Sequence, residues 1–280
     1  MKSVNNSLIL PVLKWAGGKR QLLNTLIPLL PEEYSIYCEP FFGGGALFFA
    51  LQPHFACIND VNHDLMRVYS VIKNNVDALI ERLRKFQNNK DHFYQVRRWD
   101  RNQNTYMLLS DIEKAARIIY LNRTCFNGLF RVNRLGEFNV PYGSYVNPNI
   151  VNEPLLRAVS GYLNEAEIEI CTGDYAEILN KLPENAFVYL DPPYDPVSET
   201  ASFTSYVKGG FSREAQIKLR QYCDKLDERG IKFMLSNSAT EFICKQYAKY
   251  NIDIISARRL IGADASKRGE TEEVIVRNYG

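Results

Sequence analysis

Hydrophobic positions along the chain follow two different periodicities. From residue 34 to residue 60, and again after residue 161, short apolar runs alternate with segments of helical spacing. Between residues 62 and 161 that alternation stops, and apolar side chains recur every three or four residues, as in Leu65, Val68 and Ile72. The two patterns predict parallel βαβ units that are interrupted by a mainly helical segment.

The same patterns place individual elements. Strands are predicted at residues 34–39, 55–59, 167–171, 186–190, 231–236, 252–257 and 274–276. Helices are predicted at residues 46–51, 175–181 and 240–250, and between an N-cap at Ser212 and a terminating Gly230. Within residues 122–143, two short strands around Gly136 predict a hairpin.

Composition and charge are those of a globular protein. The 280 residues are 46% hydrophobic and 24% charged, and the net charge of +2 neither requires nor excludes a nucleic-acid partner. The six cysteines include no C-x-x-C pair and the three histidines lack metal spacing, so we expect reduced thiols and no metal. With no signal peptide, membrane span or long apolar stripe predicted, we expect a cytoplasmic monomer.

The tetrapeptide Asp191-Pro192-Pro193-Tyr194 directly follows the apolar run at residues 186–190. Ligands bind at the carboxyl ends of strands in open α/β sheets, which is where such a run places it. Each proline holds the preceding residue extended and has no N–H to donate. The Asp191 carboxylate, the Pro192 carbonyl and the Tyr194 ring therefore suit a planar group that carries an amine.

A glycine turn joins the predicted strand at 34–39 to the helix at 46–51. In Glu39-Pro40-Phe41-Phe42-Gly43-Gly44-Gly45, the glycines allow close approach of backbone to a ligand, and Asp60 follows at the spacing of a ribose-binding acid. The spacing G-x-G-x-x-G for a pyrophosphate is absent, and Glu39 attracts a cation, which together favour S-adenosylmethionine.

An earlier segment, Lys14-Trp15-Ala16-Gly17-Gly18-Lys19, resembles a phosphate loop only superficially. Arg20 stands where Ser or Thr would hold magnesium, so an ATPase is disfavoured. The segment is interpreted either as a ligand-facing loop or as a plain helix entry.

Basic and aromatic side chains collect in the helical segment and in the predicted hairpin. Arginine and asparagine, as at Arg131 and Asn133, are the side chains that grip purine edges, and Phe126 and Tyr142 are suited to stack on bases. The hairpin therefore indicates nucleic-acid recognition. The basic residues before it are interpreted either as DNA contacts or as a solvated face, and they are Arg82, Arg84, Lys85, Arg97, Arg98, Arg101, Lys114, Arg117 and Arg123.

Taken in order, these motifs resemble the Dam-type (D12 class, alpha group) DNA adenine N6-methyltransferases, over nearly the whole length from Leu13 to Arg277. The resemblance implies a class I methyltransferase domain at residues 1–62 and 163–280, with a mostly parallel twisted sheet and helices on both faces. It also implies an inserted DNA target-recognition domain at residues 63–162 that carries the β-hairpin.

The resemblance also implies functional residues, each named at its position in this chain. The cofactor-binding residues implied by position or by the motifs above are Trp15, Lys19, Glu39, Phe41, Gly43, Gly45, Asp60, Asp174 and Asp191. The expected DNA-contacting residues are Lys14, Phe126, Asn127, Leu129, Arg131, Asn133, Pro141 and Tyr145. At Phe126 the best-known Dam enzymes have tyrosine, so this chain keeps the ring and lacks the hydroxyl.

The expected reaction is methyl transfer from S-adenosylmethionine to N6 of a flipped adenine, catalysed by Asp191, Pro192 and Tyr194. The family suggests the duplex site GATC, with a longer GAT-containing site as the alternative. A protein-glutamine methyltransferase would call for asparagine in place of Asp191, and a noncatalytic DNA-binding regulator would leave Asp60 and Asp191 without a role. Residues 195–211 are interpreted as a lid or as a surface loop, and a glycine-containing loop with Arg258, Arg259, Lys267 and Arg268 as a phosphate contact.

Overall fold

The computed structural model describes residues 5–196, 211–258 and 270–280. Its strands form a seven-stranded sheet in the order β3-β2-β1-β4-β5-β7-β6. They are β1 (Ile36–Glu39), β2 (Phe55–Asp60), β3 (Glu167–Thr172), β4 (Ala186–Leu190), β5 (Lys232–Ser238), β6 (Asn251–Arg258) and β7 (Glu270–Arg277). The predicted lid and the loop at 259–269 lie largely outside the described residues.

Helices occupy most of the remaining described chain. They are α1 (Leu23–Leu26), α2 (Ala46–Leu51), α3 (His63–Arg84), α4 (Lys90–Arg97), α5 (Gln103–Met107), α6 (Asp111–Thr124), α7 (Glu153–Glu165), α8 (Tyr175–Lys181), α9 (Arg213–Glu228) and α10 (Glu241–Gln246). Short 3-10 turns lie at Lys19–Leu22, Ile27–Leu29, Arg98–Arg101 and Phe126–Gly128.

The sheet has a topological switch point between β1 and β4. β1 pairs in parallel with β2 on one side and with β4 on the other, where Tyr37 lies opposite Phe187. The chain continues from β1 to β2 in one direction and from β4 to β5 in the other, since β4 and β5 are also parallel. Ligands bind at such a point, outside the carboxyl ends of the strands. Glu39 and Asp191 stand at those two ends.

The described chain divides into two compact units. Of the described residues, the first contains 5–19, 43–54 and 60–173, and the second contains 20–42, 55–59, 174–196, 211–258 and 270–280. In the first unit, the long helix α3 packs against α6 and α7, and its side chains Leu65, Val68 and Ile72 are fully buried. The second unit has its core along β4, whose five residues are all buried.

Several predicted bounds are confirmed residue for residue, namely 46–51, 175–181 and 186–190. Ser212 caps α9 through its hydroxyl, as predicted. The prediction for the last strand was wrong in length, since β7 covers Glu270–Arg277. Antiparallel pairing with β5 and β6 on either side extends it beyond its three central apolar residues. The predicted helix at 240–250 is also shorter, at Glu241–Gln246.

The predicted hairpin has the expected antiparallel pairing but not two regular strands. Single bridges join Val132 to Phe138 and Cys125 to Tyr142. Gly136 adopts φ of 83° at the turn, a conformation that favours glycine. Among the described residues, no helix is both long and apolar enough to cross a membrane.

Candidate active site

The tetrapeptide Asp191-Pro192-Pro193-Tyr194 begins directly after β4, at the switch point. Pro192 is buried, whereas Asp191 and Tyr194 are partly exposed, and the Oδ1 atom of Asp191 is itself buried. Parallel strands on both sides of β4 fix its direction, so the tetrapeptide leaves the sheet at a defined place. The structure therefore puts the predicted catalytic residues at the strand end where α/β proteins bind ligands.

The Tyr194 hydroxyl is held by an acidic side chain. It donates a hydrogen bond to Oε2 of Glu273 over 2.7 Å, and Glu273 lies on β7. Burial, reinforced by the charges of Asp191 and Glu273, raises the pKa of Tyr194 well above its ordinary value. The phenol therefore stays protonated and acts as a donor to Glu273, which fixes the tilt of the ring.

The backbone around Tyr194 is anchored by two buried amide side chains. Gln216 donates to the carbonyl oxygen of Pro193 over 2.8 Å, and the backbone N–H of Asp195 donates to Oδ1 of Asn237 over 3.0 Å. Asn237 in turn donates to Oε1 of Gln216 over 3.1 Å. The peptide groups on both sides of Tyr194 are thus held by one connected pair of side chains.

Asp195 completes this anchor. Its carboxylate accepts from the Thr240 hydroxyl over 2.8 Å and pairs with Arg213 Nε over 3.1 Å, and its carbonyl accepts from the Ser238 hydroxyl over 2.5 Å. The residue is only 1% exposed, so these partners offset the cost of burying its charge. We term Gln216, Asn237 and Asp195 the tetrapeptide anchor.

The other strand end at the switch point carries Glu39 and Phe41. Glu39 is buried and accepts a hydrogen bond from the Tyr37 hydroxyl over 2.7 Å. Burial, reinforced by the charge of Glu39 and this contact, raises the pKa of Tyr37 well above its ordinary value. Phe41 is partly exposed and its ring lies 5.0 Å from that of Tyr175 and 5.9 Å from that of Phe211. An acidic group beside an aromatic cluster suits a ligand that is both cationic and aromatic.

Asp174 has a different role in the structure. It is the N-cap of α8, and its Oδ1 accepts the backbone N–H of Ala176 over 2.8 Å. The carboxylate is exposed and has remaining acceptor capacity.

In the first unit, Trp15 packs closely against the glycine turn. A Cβ added to Gly43 would come 3.0 Å from Trp15 Cδ1, and one added to Gly44 would come 3.3 Å from Trp15 Cβ. Gly43 and Gly45 have φ of 48° and 65°, which L side chains rarely adopt. Glycine is therefore required here both for the turn and for the indole contact.

Asp60 is tied to the same turn. Its Oδ2 accepts the Gly43 N–H over 2.9 Å, and its Oδ1 accepts the Asn62 N–H over 2.9 Å. Burial raises the pKa of Asp60, and these N–H bonds oppose the increase. The two oxygens offer about four acceptor positions, so after the N–H bonds from Gly43, Asn62 and Val61 the carboxylate can still accept from a ligand hydroxyl.

Lys19 is buried, and its ammonium donates to the Gly17 carbonyl over 2.7 Å. The bond closes the loop that follows Trp15, where Gly17 adopts φ of 77°. Among the cofactor candidates in the first unit, the structure therefore joins Asp60 to Gly43 by a hydrogen bond and packs Trp15 on Gly43.

The DNA-contact candidates lie together on the first unit. Phe126 is 52% exposed, and its N–H donates to the Pro141 carbonyl over 2.9 Å, so these two residues are neighbours. Asn127 is exposed with φ of 57°. Lys14, Arg131 and Pro141 are also exposed, and Leu129, Asn133 and Tyr145 are partly exposed.

Asn122 holds Lys14 beside the hairpin. Its side chain accepts the Lys14 N–H over 2.9 Å and donates to the Lys14 carbonyl over 2.8 Å and to the Gly128 carbonyl over 2.9 Å. The Lys14 ammonium lies 5.8 Å from the centroid of the Tyr145 ring. Asn122 was not predicted as a site residue, because a buried amide in a helix has no distinctive sequence signal.

Several basic residues and Tyr142 have structural partners. Arg84, Arg97, Arg101, Arg117 and Arg123 bond to carboxylates or backbone carbonyls of the same unit, so these guanidinium groups support its helices. For the remaining basic residues of this segment, DNA contact stays a prediction. Tyr142, suggested as a stacking residue, donates its hydroxyl to Asn88 over 2.9 Å and packs on Phe93.

The tetrapeptide anchor was also missed from the sequence. Ser236-Asn237-Ser238 is a polar run at the end of the apolar strand β5, and polar residues at a buried strand end are a usable signal for a site. Gln216 and Glu273 carried no such signal.

Comparison with known proteins adds independent findings. Residues 15–261 match the family model of the D12 class N6 adenine-specific DNA methyltransferases. A type II methyltransferase from Lactococcus lactis subsp. cremoris is 47% identical over 272 residues, covering 96% of this chain and 95% of the relative. Another from Methanocaldococcus jannaschii is 42% identical over 290 residues, covering 96% and 99%. The DNA adenine methylase of Escherichia coli is 31% identical over 268 residues, covering 94% and 93%.

Proposed function

Because the chain belongs to the D12 class of N6 adenine-specific DNA methyltransferases, we propose that it methylates the adenine of GATC in double-stranded DNA. The observation that supports a catalytic centre at the tetrapeptide is the anchor: Gln216 and Asn237 hold the peptide groups on both sides of Tyr194. A rigid acceptor cluster at a sheet switch point is what a reaction limited by positioning requires.

In the proposed reaction, the target adenine leaves the duplex and stacks on Tyr194. Its two N6 hydrogens are donated to the Asp191 carboxylate and the Pro192 carbonyl. These acceptors orient the nitrogen lone pair, and Asp191 stabilises the positive charge that develops on the nitrogen as it attacks. The Tyr194–Glu273 hydrogen bond, 2.7 Å long, supports the ring that holds the base.

We assign cofactor binding to Trp15, Lys19, Glu39, Phe41, Gly43, Gly45, Asp60, Asp174 and Asp191. The fit to S-adenosylmethionine rests on a carboxylate with spare acceptor capacity at Asp60, the glycine turn against Trp15, and the buried acid Glu39 beside an aromatic cluster. When bound, the cofactor supplies an electrophilic sulfonium methyl group.

We assign DNA recognition to residues 63–162 together with Lys14. Lys14 and Arg131 are exposed cations suited to hydrogen-bond the guanines of GATC. Phe126 and Asn127 project from a turn at the base of the hairpin, where an aromatic ring can occupy the space left by a flipped base. Leu129, Asn133, Pro141 and Tyr145 surround this surface as further contacts.

A longer GAT-containing site is the second candidate. Two relatives named type II methyltransferases are 47% and 42% identical to this chain, compared with 31% for the Escherichia coli DNA adenine methylase, so similarity to the latter does not by itself fix GATC. On this basis the protein would protect DNA against a partner restriction enzyme.

The test is methyl transfer from labelled S-adenosylmethionine to duplexes that contain GATC, GATC with one changed base pair, or no GAT. We expect transfer to GATC and loss of transfer with Asp191→Ala, whereas the variant stays folded. Full turnover by folded Asp191→Ala would refute the catalytic assignment. Transfer only to an extended sequence would replace GATC with the longer site.

A further inference from the structure

A buried ion-pair network in the first unit joins the helices to the hairpin. Asp100 is 6% exposed, and its Oδ2 lies 2.6 Å from Arg117 Nη2, while its Oδ1 lies 2.9 Å from Arg101 Nη1. Arg117 is 1% exposed and also donates to the carbonyls of Val96 and Arg97, over 3.1 and 2.8 Å. On its helical side the network is held because Arg117 of α6 bonds Val96, Arg97 and Asp100, at the end of α4 and in the turn that follows it.

On its other side the network binds both the backbone N–H and the backbone carbonyl of one hairpin residue, Phe138. The Phe138 N–H donates to Asp100 Oδ2 over 2.7 Å, and Arg101 Nη2 donates to the Phe138 carbonyl over 2.6 Å. Phe138 is also the residue bridged to Val132 across the hairpin. A single residue thus links the two sides of the hairpin to charged groups of the bundle.

The same contacts continue to the hairpin turn. Arg101 Nη1 lies 3.1 Å from Glu137 Oε2, and Glu137 accepts from Asn133 Nδ2 over 2.7 Å. Asn133 Oδ1 in turn accepts the N–H groups of Leu135 and Glu137, over 2.9 and 3.0 Å. The turn conformation is therefore connected to the guanidinium of Arg101 through the carboxylate of Glu137 and the amide of Asn133.

The proposed guanine-contacting residue Arg131 lies on the paired side of this hairpin. Its Nε donates to Asn139 Oδ1 over 2.7 Å, and its carbonyl accepts the Asn139 N–H over 3.0 Å. This side-chain bond uses one of the five guanidinium donors, and Asn139 directly follows the anchored Phe138. Displacement of Phe138 would therefore move Arg131 through its partner.

We propose that Arg101 and Asp100 are positioning residues for sequence discrimination, because they fix the hairpin that presents Arg131 to DNA. The proposal rests on the proposed function in that it takes the hairpin as the DNA-contacting element. On this proposal, the precision with which bases are distinguished depends on one acidic and one basic side chain, neither of which need touch DNA. Bidentate contacts to guanine tolerate little displacement, so discrimination depends on this support.

The test compares Arg101→Met with Arg101→Lys and Arg157→Met in the full-length chain. Arg157 also forms ion pairs in the first unit, with Asp77 and Glu153, so Arg157→Met controls for the loss of one positive charge. For each protein, kcat/KM is measured on the duplex that the wild type prefers and on duplexes with one base pair changed. The dissociation constants for S-adenosylmethionine and for a non-specific duplex are measured in parallel.

We expect Arg101→Met to lower the ratio of kcat/KM for preferred over altered duplexes about tenfold, with both dissociation constants changed less than about twofold. Arg101→Lys should recover part of the ratio, because one ammonium can bond either the carboxylates or the Phe138 carbonyl. An unchanged ratio in folded Arg101→Met, or an equal loss on every duplex, overturns the proposal. Equal loss would assign Arg101 to phosphate binding.

Two further measurements keep the outcomes distinct. If Arg101→Met does not fold, Glu137→Gln tests the same link, because it removes the charge that pairs with Arg101 while the amide oxygen can still accept from Asn133. It should lower the ratio in the same direction, and an unchanged ratio there overturns the proposal. If the wild type transfers no methyl group to any duplex, the proposed function has failed, whereas loss of the ratio in a variant is meaningful only when the wild type discriminates.

Discussion

Gln216 provides the sharpest test of how the tetrapeptide is held. The side chain is 1% exposed, donates to the Pro193 carbonyl over 2.8 Å and accepts from Asn237 Nδ2 over 3.1 Å. Gln216→Leu would leave both of these groups without that partner in a dry environment. Each buried unsatisfied group costs about 1–3 kcal/mol, so the loss of both partners should lower the free energy of unfolding by about 2–6 kcal/mol.

The catalytic effect should exceed what stability alone explains. With the Pro193 carbonyl released, the tetrapeptide can shift, and a displacement of about 1 Å lowers the rate of a positioned reaction about a hundredfold. We therefore expect kcat to fall about 10- to 100-fold, or about 1.4–2.8 kcal/mol in activation free energy, with little change in cofactor affinity. Single-turnover methyl transfer at saturating DNA and cofactor measures this change.

The matched control is Leu219→Ala on the same helix. Leu219 is fully buried, and its truncation should lower the free energy of unfolding by about 2–5 kcal/mol without touching the tetrapeptide. Both proteins are compared at a temperature where each is folded by circular dichroism. If Gln216→Leu retains the kcat of Leu219→Ala, the anchor serves stability alone and the reasoning is refuted.

Three other predictions follow from the site. Burial raises the pKa of Asp60 above the ordinary 3.8, so cofactor affinity should begin to decline at a higher pH, as the pH falls, than it would with an exposed aspartate. Calorimetry measures this affinity, and Asp60→Asn should bind the cofactor weakly and without this pH dependence. Gly43→Ala should weaken cofactor binding and shift Trp15 fluorescence, since its Cβ would lie 3.0 Å from the indole at a φ of 48°; unchanged binding would argue against close approach there. Phe126→Ala should make the free energy of base flipping less favourable by about 1–3 kcal/mol, because the ring no longer stacks on bases. The measurement is 2-aminopurine fluorescence at the target position, and an unaltered signal would exclude the ring from that role.

The pKa argument for Asp60 has a definite sign. A carboxyl whose pKa is raised in the folded protein becomes protonated at a higher pH than in the unfolded chain, so ionised Asp60 costs folding stability once the pH exceeds its folded pKa. The same protonation removes an acceptor for ligand hydroxyls. Function thus favours the ionised form that folding disfavours, as is common at binding sites.

Residue type indicated the chemistry of the site, but it did not predict which basic side chains are buried and which are exposed. Arg101, Arg117 and Arg131 are the same residue type in one segment of sequence. In the structure Arg117 is 1% exposed and paired with Asp100, whereas Arg131 is exposed at the hairpin. Nothing in local sequence separates them, because burial of a guanidinium depends on a carboxylate that is distant along the chain.

Local sequence determined the elements whose causes are local. The apolar run at residues 186–190, the Ser212 cap and the order of the family motifs were sufficient for the central strand, helix α9 and the adenine methyltransferase family. The tertiary structure alone decided what holds Asp191 to Tyr194 in place. Its partners Gln216, Asn237 and Glu273 lie far downstream in the sequence. They bond Pro193, Asp195 and Tyr194, which are 23, 42 and 79 positions away, respectively. Such partners are selected by the pairing of strands and helices, since a hydrogen bond requires proximity in space that sequence spacing does not encode.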